Sequence, residues 1–327
     1  MKAAIAPSVN GRWEVRDVPR PTPGPNEVLL RITASGLCFT DVHITHGMIP
    51  TQFPRTLGHE PVGEIVELGA GVTKRRVGDR VGVPWMQDSC GRCEWCLRGK
   101  KQFCQNSVAT GIQTQGSHAE FMVARADATV LIPDGVSDEQ AAPIFCAGFT
   151  VWSGFRIADP KPGDRVAIVG IGGLGHLGVQ FAKAAGHHTI ALTHSKDKEK
   201  MLRQLGADDV VSDGDGLMKT GGADIILVTG NSWKSAADAI KGLRPQGRVV
   251  LMGVSGEPLQ VPLDLLFKEG RIIGSSQNDP EHLYEALDFV AKGKVKVITE
   301  TYPLTDIAKA YDRVEKGEVR FRAVIKP

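Results

Sequence analysis

The chain has 327 residues, of which 42% are hydrophobic and 23% charged, and its formal net charge is +2. This composition excludes an intrinsically disordered chain, which combines low hydrophobicity with high net charge. The 39 basic and 37 acidic residues nearly balance, so no overall field favours nucleic acid or an anionic membrane as a partner. Because the length exceeds one ordinary hydrophobic core, we expect two domains.

No stretch of the sequence predicts a membrane span or a secretory signal. The longest apolar stretch, residues 141–155, contains Pro143 and is shorter than the ~20 residues needed to cross a bilayer. Residues 1–13 do not show the apolar core of a signal peptide. We therefore expect a cytoplasmic protein, in which clustered cysteines hold metal more often than they form disulfides.

The first part of the chain, residues 1–150, is rich in proline, glycine and β-branched residues. Short β-type runs separated by turn signals predict strands here. The clearest runs are Glu27–Thr33, Val62–Leu68 and Arg80–Val83. We expect residues 1–150 to form a β-rich domain.

From Asp164 onward, strand and helix patterns alternate, which is typical of a doubly wound parallel sheet. The predicted strands are Val166–Val169, Thr189–Thr193, Ile225–Val228, Arg248–Met252 and Arg271–Ile273. The predicted helices are Leu174–Ala185, Lys198–Leu205 and Glu281–Ala291. We assign residues 151–276 to a nucleotide-binding domain. We expect residues 277–327, with a strand-like tail at Phe321–Ile325, to return to the first domain.

Four cysteines, Cys90, Cys93, Cys96 and Cys104, lie in one short loop. Four thiolates at this spacing can converge on one ion, which predicts a structural zinc site with no open position. An iron–sulfur cluster is the main alternative, although Gln105 follows the last cysteine where ferredoxin motifs have proline. Four unrelated buried thiols are disfavoured because the loop is rich in charged residues.

The other two cysteines, Cys38 and Cys146, are far apart in sequence, and His59 lies between them. Taken alone, each is more often a structural residue than a ligand. Two thiolates and one imidazole, however, make up a set of three protein ligands for a catalytic zinc with a free fourth position.

A glycine-rich turn follows the apolar strand 165–169. It runs Gly170-Ile-Gly-Gly-Leu-Gly175 and opens a helix, so Gly170, Gly172, Gly173, Leu174 and Gly175 are predicted to approach a dinucleotide pyrophosphate.

The end of the next strand addresses cofactor preference. NAD-binding sheets place an acid about 20 residues past the glycine turn, where a carboxylate would repel a 2′-phosphate. Here Thr193, His194 and Ser195 stand instead, and Lys196 or Lys198 could lie over a phosphate. This pattern predicts NADP(H) in preference to NAD(H), with acceptance of both cofactors as the alternative.

Four motifs together resemble the zinc-containing medium-chain alcohol dehydrogenase family and occur in that family's order. They are Gly36-Leu-Cys-Phe-Thr-Asp-Val-His43, Gly58-His-Glu60, the cysteine loop 90–104 and the glycine turn 170–175. The resemblance implies an α/β fold, with a GroES-like β-rich catalytic domain and a Rossmann doubly wound parallel sheet domain. It implies two zinc ions per chain, one of them held by Cys38, His59 and Cys146.

The resemblance also implies roles for individual residues. Asp41 would orient His59, and Glu60 would lie near the metal. Thr40 and His43 would carry a proton from substrate through the cofactor ribose to solvent, since a histidine titrates near physiological pH.

Further residues follow from the same match. Trp85 and Ile49 would line the substrate pocket, and Arg322 would contact the pyrophosphate. Phe39 departs from the family pattern, because relatives often carry a basic residue there. Relatives form dimers or tetramers, so we expect a homodimer or homotetramer.

The leading functional hypothesis is hydride transfer between NADP(H) or NAD(H) and a primary alcohol or aldehyde. A polyol or glutathione-adduct dehydrogenase of the same superfamily is the first alternative. A non-catalytic zinc protein is the second. The intact set of Cys38, His59, Cys146, Thr40 and His43 argues against it, because a protein without turnover has no need of an open metal site.

Overall fold

The computed structural model describes residues 1–327 except for the side chain of Lys196. The strands are β1 Lys2–Ile5, β2 Glu14–Asp17, β3 Glu27–Leu37, β4 Glu60–Leu68, β5 Arg80–Gly82, β6 Met86–Asp88, β7 Val108–Ala109, β8 Phe121–Arg125, β9 Val130–Leu131, β10 Arg165–Val169, β11 His188–Leu192, β12 Asp209–Val211, β13 Ala223–Val228, β14 Leu243–Leu251, β15 Arg271–Gly274, β16 Thr299–Pro303 and β17 Arg322–Lys326. The α-helices are α1 Phe39–Thr45, α2 Glu94–Leu97, α3 Asp138–Ala141, α4 Ala147–Ile157, α5 Gly175–Ala184, α6 Glu199–Gln204, α7 Gly214–Lys219, α8 Trp233–Ala239, α9 Asp264–Phe267, α10 Pro280–Ala291 and α11 Ile307–Glu315.

The chain folds as two compact units. The first combines residues 1–146 with residues 297–327, and the second comprises residues 147–296. Residues 277–296, which the sequence analysis grouped with the C-terminal segment, therefore belong to the second unit. Among the described residues, no helix combines the length and apolar character that crossing a bilayer requires.

The first unit is built on a curved, mainly antiparallel sheet in the order β16-β17-β3-β4-β5-β9, with β8 paired to β3. The long strand β3 lies at its centre, and the C-terminal strand β17 pairs antiparallel with it. The alternating apolar residues of β3 and β4 bury one face, where Val28, Leu30 and Ile65 belong to one core cluster.

The second unit is a parallel sheet in the order β12-β11-β10-β13-β14-β15. Strands β10 and β13 are apolar almost throughout, as expected for strands covered by helices on both faces. The strand order reverses direction between β10 and β13, and this is the point where doubly wound sheets bind nucleotides. The β-rich domain and the doubly wound parallel sheet that the sequence predicts are both confirmed.

Candidate active site and metal centres

Cys38, His59, Glu60 and Cys146 converge in the first unit, and their ligand atoms all lie within 4.8 Å of one another. Cys38 follows β3, while His59 and Glu60 stand at the start of the neighbouring strand β4. Cys146 follows a 3-10 turn that packs near both strands. The sheet thus brings together residues that are far apart in sequence.

The register between β3 and β4 sets this convergence. Gly36 lies opposite Glu60 in the antiparallel ladder. A Cβ atom on Gly36 would stand 1.8 Å from a Glu60 carboxylate oxygen, so only glycine fits there beside the inward-facing carboxylate. Leu37 alone then separates Gly36 from Cys38.

The N-terminus of α1 fixes Cys38 through a reciprocal cap. The Cys38 sulfur accepts the backbone N–H of Thr40 at 3.5 Å, and the Asp41 carboxylate accepts the backbone N–H of Cys38 at 2.9 Å. The Thr40 hydroxyl oxygen also lies 3.5 Å from the Cys38 sulfur. Both capping groups also face the cluster, so the contacts that begin helix α1 also orient the cluster residues.

The donor set fits a zinc ion. The Cys38 and Cys146 sulfurs are 3.9 Å apart, close to the roughly 3.8 Å edge of a tetrahedron with ~2.3 Å zinc–sulfur bonds. His59 is buried, yet neither of its ring nitrogens has a hydrogen-bond partner in the described part of the chain. A buried imidazole that has no hydrogen-bond partner and lies beside two thiol groups is typical of a metal ligand.

The electrostatics of the cluster also favour a cation. The hydrogen bond with Cys146 holds the pKa of the Cys38 thiol well below its ordinary value, although burial opposes this. Burial lowers the pKa of His59, but the Asp41 and Cys38 charges outweigh it and raise that pKa well above normal. The hydrogen bond with Cys38 and burial raise the pKa of the Cys146 thiol well above its ordinary value, so the negative charge of the thiol pair lies on Cys38.

Asp41 is fully buried and faces His59, with 3.4 Å between Asp41 Oδ1 and His59 Nδ1. The same oxygen accepts the backbone N–H of Gly58 at 3.3 Å. Burial opposes ionisation of Asp41, but the nearby His59 and His118 imidazoles hold its pKa well below the usual range. Asp41 is thus a buried, ionised carboxylate.

Glu60 forms a buried ion pair with Arg322, the first residue of β17. Burial and the Cys38 charge raise the pKa of Glu60 to about 7, against the attraction of Arg322. One Glu60 oxygen, Oε2, has no hydrogen-bond partner among the described residues. Arg322 thus lies beside the Cys38 cluster, where it pairs with Glu60. Its contact with a pyrophosphate stays a prediction.

The remaining residues predicted around the catalytic site lie on α1 or near it. His43 is 8% exposed, its ring meets the Phe39 ring edge-on at 5.0 Å, and burial lowers its pKa. The Trp85 ring meets His59 edge-on at 5.1 Å, and Ile49 and Trp85 pack against the same core cluster.

The second cysteine set, Cys90, Cys93, Cys96 and Cys104, also has its sulfur atoms within 4.8 Å of one another. The Cys90 sulfur lies 4.0 Å from that of Cys96 and 3.6 Å from that of Cys104. Backbone N–H groups of Arg92 and Cys93 lower the pKa of Cys90 to about 6, so the loop favours a thiolate before any metal binds. All four positions around a metal can be filled by sulfur.

In the second unit, the glycine turn follows β10 and leads into α5, with Gly173 and Leu174 between the predicted contact glycines. Gly170 has a φ of +88°, and a Cβ there would stand 2.8 Å from the Gly230 backbone after β13. A Cβ on Gly175 would meet the Gly170 carbonyl oxygen at 2.3 Å. The turn therefore needs glycine at both positions, and it lies where the strand order reverses.

The segment after β11 carries the residues predicted to select the cofactor. The Ser195 backbone N–H donates to the Thr193 hydroxyl oxygen at 3.2 Å, and His194 is exposed. Lys198 donates from Nζ to the Ile171 carbonyl oxygen at 3.0 Å, so its charge lies at the glycine turn. The predicted role of Lys196 falls on a side chain outside the described part of the chain.

Sequence reasoning did not identify a polar group behind Asp41. His118 is fully buried, with Nε2 3.9 Å from Asp41 Oδ2 and Nδ1 2.8 Å from the Ser35 hydroxyl oxygen. Ser35 in turn lies 2.6 Å from the Ser117 hydroxyl oxygen. His118 is isolated in the sequence just before a strand, so no spacing between residues predicts its contact with Asp41.

The two-unit fold, the glycine turn and the two sets of candidate metal ligands are typical of a zinc-binding dehydrogenase. Residues 24–134 match the family model described as the alcohol dehydrogenase GroES-like domain, and residues 173–292 match the zinc-binding dehydrogenase model. An alcohol dehydrogenase of Geobacillus stearothermophilus is 42% identical over 335 residues, which cover 100% of this chain and 99% of the relative. The chain belongs to the zinc-containing medium-chain alcohol dehydrogenase family.

Two solved structures of similar fold hold different cofactors. A zinc-binding dehydrogenase of Sinorhizobium meliloti bound to NADP is 30% identical with a TM-score of 0.89, covering 100% of this chain and 99% of that one. Acetophenone reductase of Geotrichum candidum in complex with NAD is 31% identical with a TM-score of 0.88, covering 100% and 97%. Similarity of fold therefore leaves the preferred cofactor open.

Asp41→Asn tests the buried carboxylate in zinc-free protein. A carboxyl group whose folded pKa is depressed stabilises the fold above its unfolded pKa of about 3.9, and this contribution is lost as the pH falls. We expect the substitution to lower the free energy of unfolding by about 1–3 kcal/mol at pH 7 and by progressively less below pH 4. Urea unfolding with a chelator present measures this.

The matched control is Asp127→Asn, which changes an exposed acid of the same unit that pairs with Lys74 at the surface. It should change the free energy of unfolding by less than about 0.5 kcal/mol at any of these pH values. A loss for Asp41→Asn that is equally large at pH 3 and pH 7 would contradict an ionised Asp41.

Proposed function

We propose that this alcohol dehydrogenase exchanges hydride between NADP(H) and primary alcohols or their aldehydes at a zinc ion held by Cys38, His59 and Cys146. The observation that carries this proposal is the buried His59, whose ring nitrogens have no hydrogen-bond partner in the described chain, beside two sulfurs 3.9 Å apart. Three protein ligands leave a fourth position for substrate, which a purely structural zinc site does not need.

The protein residues prepare this position for an alcohol. A bound zinc ion supplies Lewis acidity that lowers the pKa of an alcohol toward neutrality. With zinc bound, Cys38 and Cys146 would contribute two thiolate charges, and Asp41 would orient the His59 ring, whose Nδ1 it faces. Glu60, with a pKa near 7 and one oxygen lacking a partner among the described residues, offers a further carboxylate close to the ligands.

His43 and Thr40 serve the proton that leaves the alcohol. Thr40 lies beside Cys38, and His43 follows it one turn later on α1, so both groups are held by one short helix. Burial lowers the pKa of His43, which keeps its ring neutral and able to accept a proton at neutral pH. Trp85, whose ring meets His59 edge-on, and Ile49, which packs against the same core cluster as Trp85, would offer apolar surface to the substrate side chain.

The preference for NADP(H) rests on charge after β11. No carboxylate occupies the position of Thr193, whose hydroxyl already organises the backbone of Ser195. The Lys198 ammonium, 3.0 Å from the Ile171 carbonyl oxygen, adds a positive charge beside the turn. Hydroxyls and an ammonium group stabilise a 2′-phosphate, whereas the acid found in NAD-binding sheets repels it.

The first prediction concerns metal content. We expect two zinc ions per chain in the parent and one in Cys38→Ser, which should lose turnover but keep its fold. Cys93→Ser should instead lower the melting temperature, because zinc held by four sulfurs contributes directly to the stability of the loop. Metal analysis, thermal unfolding and alcohol-dependent NADPH formation measure these effects. Full turnover by Cys38→Ser would refute the catalytic assignment.

The second prediction concerns proton release. His43→Ala should lower alcohol oxidation near neutral pH by about 10- to 100-fold, and added buffer base should partly restore it. His46→Ala is the matched control, since His46 caps the same helix but pairs with Glu315 at the surface. A pH–rate profile of His43→Ala that overlays that of the parent would argue against the relay.

The third prediction concerns the cofactor. The parent should show higher kcat/KM with NADP⁺ than with NAD⁺, and Thr193→Asp should move the ratio toward NAD⁺ by about 1–3 kcal/mol. Lys198→Ala should move it in the same direction. Lys200, which is exposed on helix α6 directly after Lys198, gives the control Lys200→Ala, which should leave the ratio unchanged. A parent that prefers NAD⁺ would overturn the proposed cofactor.

A further inference from the structure

A buried polar chain approaches Asp41 at its carboxylate oxygen Oδ2, whereas His59 faces the other oxygen, Oδ1. It runs from Ser117 through Ser35 to the His118 ring, whose Nε2 is 3.9 Å from Asp41 Oδ2. His118 is fully buried, and its Nε2 has no hydrogen-bond partner in the part of the chain that the structure describes. The nearest acceptor shown for that nitrogen is the Asp41 carboxylate.

Hydrogen-bond roles along this chain determine which nitrogen of His118 carries the proton. Ser35 contacts both the Ser117 hydroxyl and His118 Nδ1, and its own hydroxyl has one proton to donate. If Ser117 donates to Ser35 and Ser35 donates to Nδ1, the imidazole proton is on Nε2 and points toward Asp41. The opposite assignment would set a nitrogen lone pair against a buried carboxylate, which is electrostatically unfavourable.

Tight packing limits where the His118 ring can move. A Cβ on Gly58, the residue before His59, would stand 2.9 Å from the His118 ring, and the Trp13 ring lies 5.6 Å away. The ring is therefore held beside the segment that carries the metal ligand. A shift of about 1 Å would bring Nε2 within hydrogen-bond range of Asp41 Oδ2.

We propose that His118 is a positioning residue of the catalytic zinc site, donating from Nε2 to Asp41 Oδ2 so that Asp41 Oδ1 faces His59. Asp41 then lies between two buried imidazoles, of which one binds the metal and the other braces the carboxylate. This inference rests on the proposed catalytic zinc, but it assigns a role to a residue outside the ligand set.

Two substitutions separate this role from ordinary packing. Glutamine places its amide nitrogen near the position of histidine Nε2 and can still donate to Asp41. Asparagine matches the position of Nδ1, so it keeps the contact with Ser35 but does not reach Asp41. A role confined to core hydrogen bonding favours asparagine, whereas the positioning role favours glutamine.

The experiment follows zinc release from the zinc-loaded enzyme to a chromophoric chelator. In His118→Asn, zinc at the Cys38 cluster should leave about tenfold faster than in the parent, and in His118→Gln the rate should stay within about threefold. The four-cysteine zinc is an internal control and should be released at the parent rate in both. With cobalt at the Cys38 cluster, the visible absorption bands should shift in His118→Asn only.

Ser35→Ala provides a second test if His118→Asn does not fold, because it removes the hydroxyl that fixes the imidazole proton on Nε2. It should accelerate release from the Cys38 cluster by about threefold. Equal release rates in the parent, His118→Asn and Ser35→Ala would overturn the positioning role while leaving the catalytic zinc intact. Zinc release from His118→Gln that is as fast as from His118→Asn would also overturn the positioning role. A parent without zinc at Cys38 would overturn both proposals.

Discussion

The buried Asp41 carboxylate is the interaction on which the catalytic cluster depends. It accepts the Cys38 backbone N–H at the start of α1 and the Gly58 backbone N–H before β4, and it faces His59. An ionised group without contact to water is stable only when several donors surround it. The segments that carry Cys38 and His59, two of the proposed metal ligands, are thus fixed by the same charge, and neither can shift without leaving that charge unpaired.

A second constraint comes from the sheet. Because Gly36 faces Glu60 across the β3–β4 ladder, a one-residue slip in register would move every side chain to the other face and separate Cys38 from His59. The return of the chain in β17 adds Arg322, whose buried charge faces Glu60. Strand pairing and charge pairing therefore specify the same arrangement of these residues. Such agreement is expected of a site built on rigid strands.

The sequence predicts the parts of this protein that depend on local spacing. The cysteine loop, the glycine turn and the alternation of strands and helices all have periods or separations with a direct physical meaning. The contacts of Arg322 with Glu60 and of His118 with Asp41 join segments far apart in the chain, and no local pattern indicates them. The family resemblance identifies Asp41 and Glu60 as site residues, but only three-dimensional packing shows which charged groups face their carboxylates.

The two candidate metal sites differ in how they are assembled, and this difference agrees with the separate roles proposed for them. The four-cysteine set comes from one loop that contains short helical turns, so a metal ion bound there would stabilise the loop structure directly. Cys38, His59 and Cys146 are held by a helix cap, a strand start and a buried turn that exist through core packing and hydrogen bonds. In the proposed function, core packing and hydrogen bonds position the three ligands, so that a zinc ion bound there would keep its fourth position for substrate.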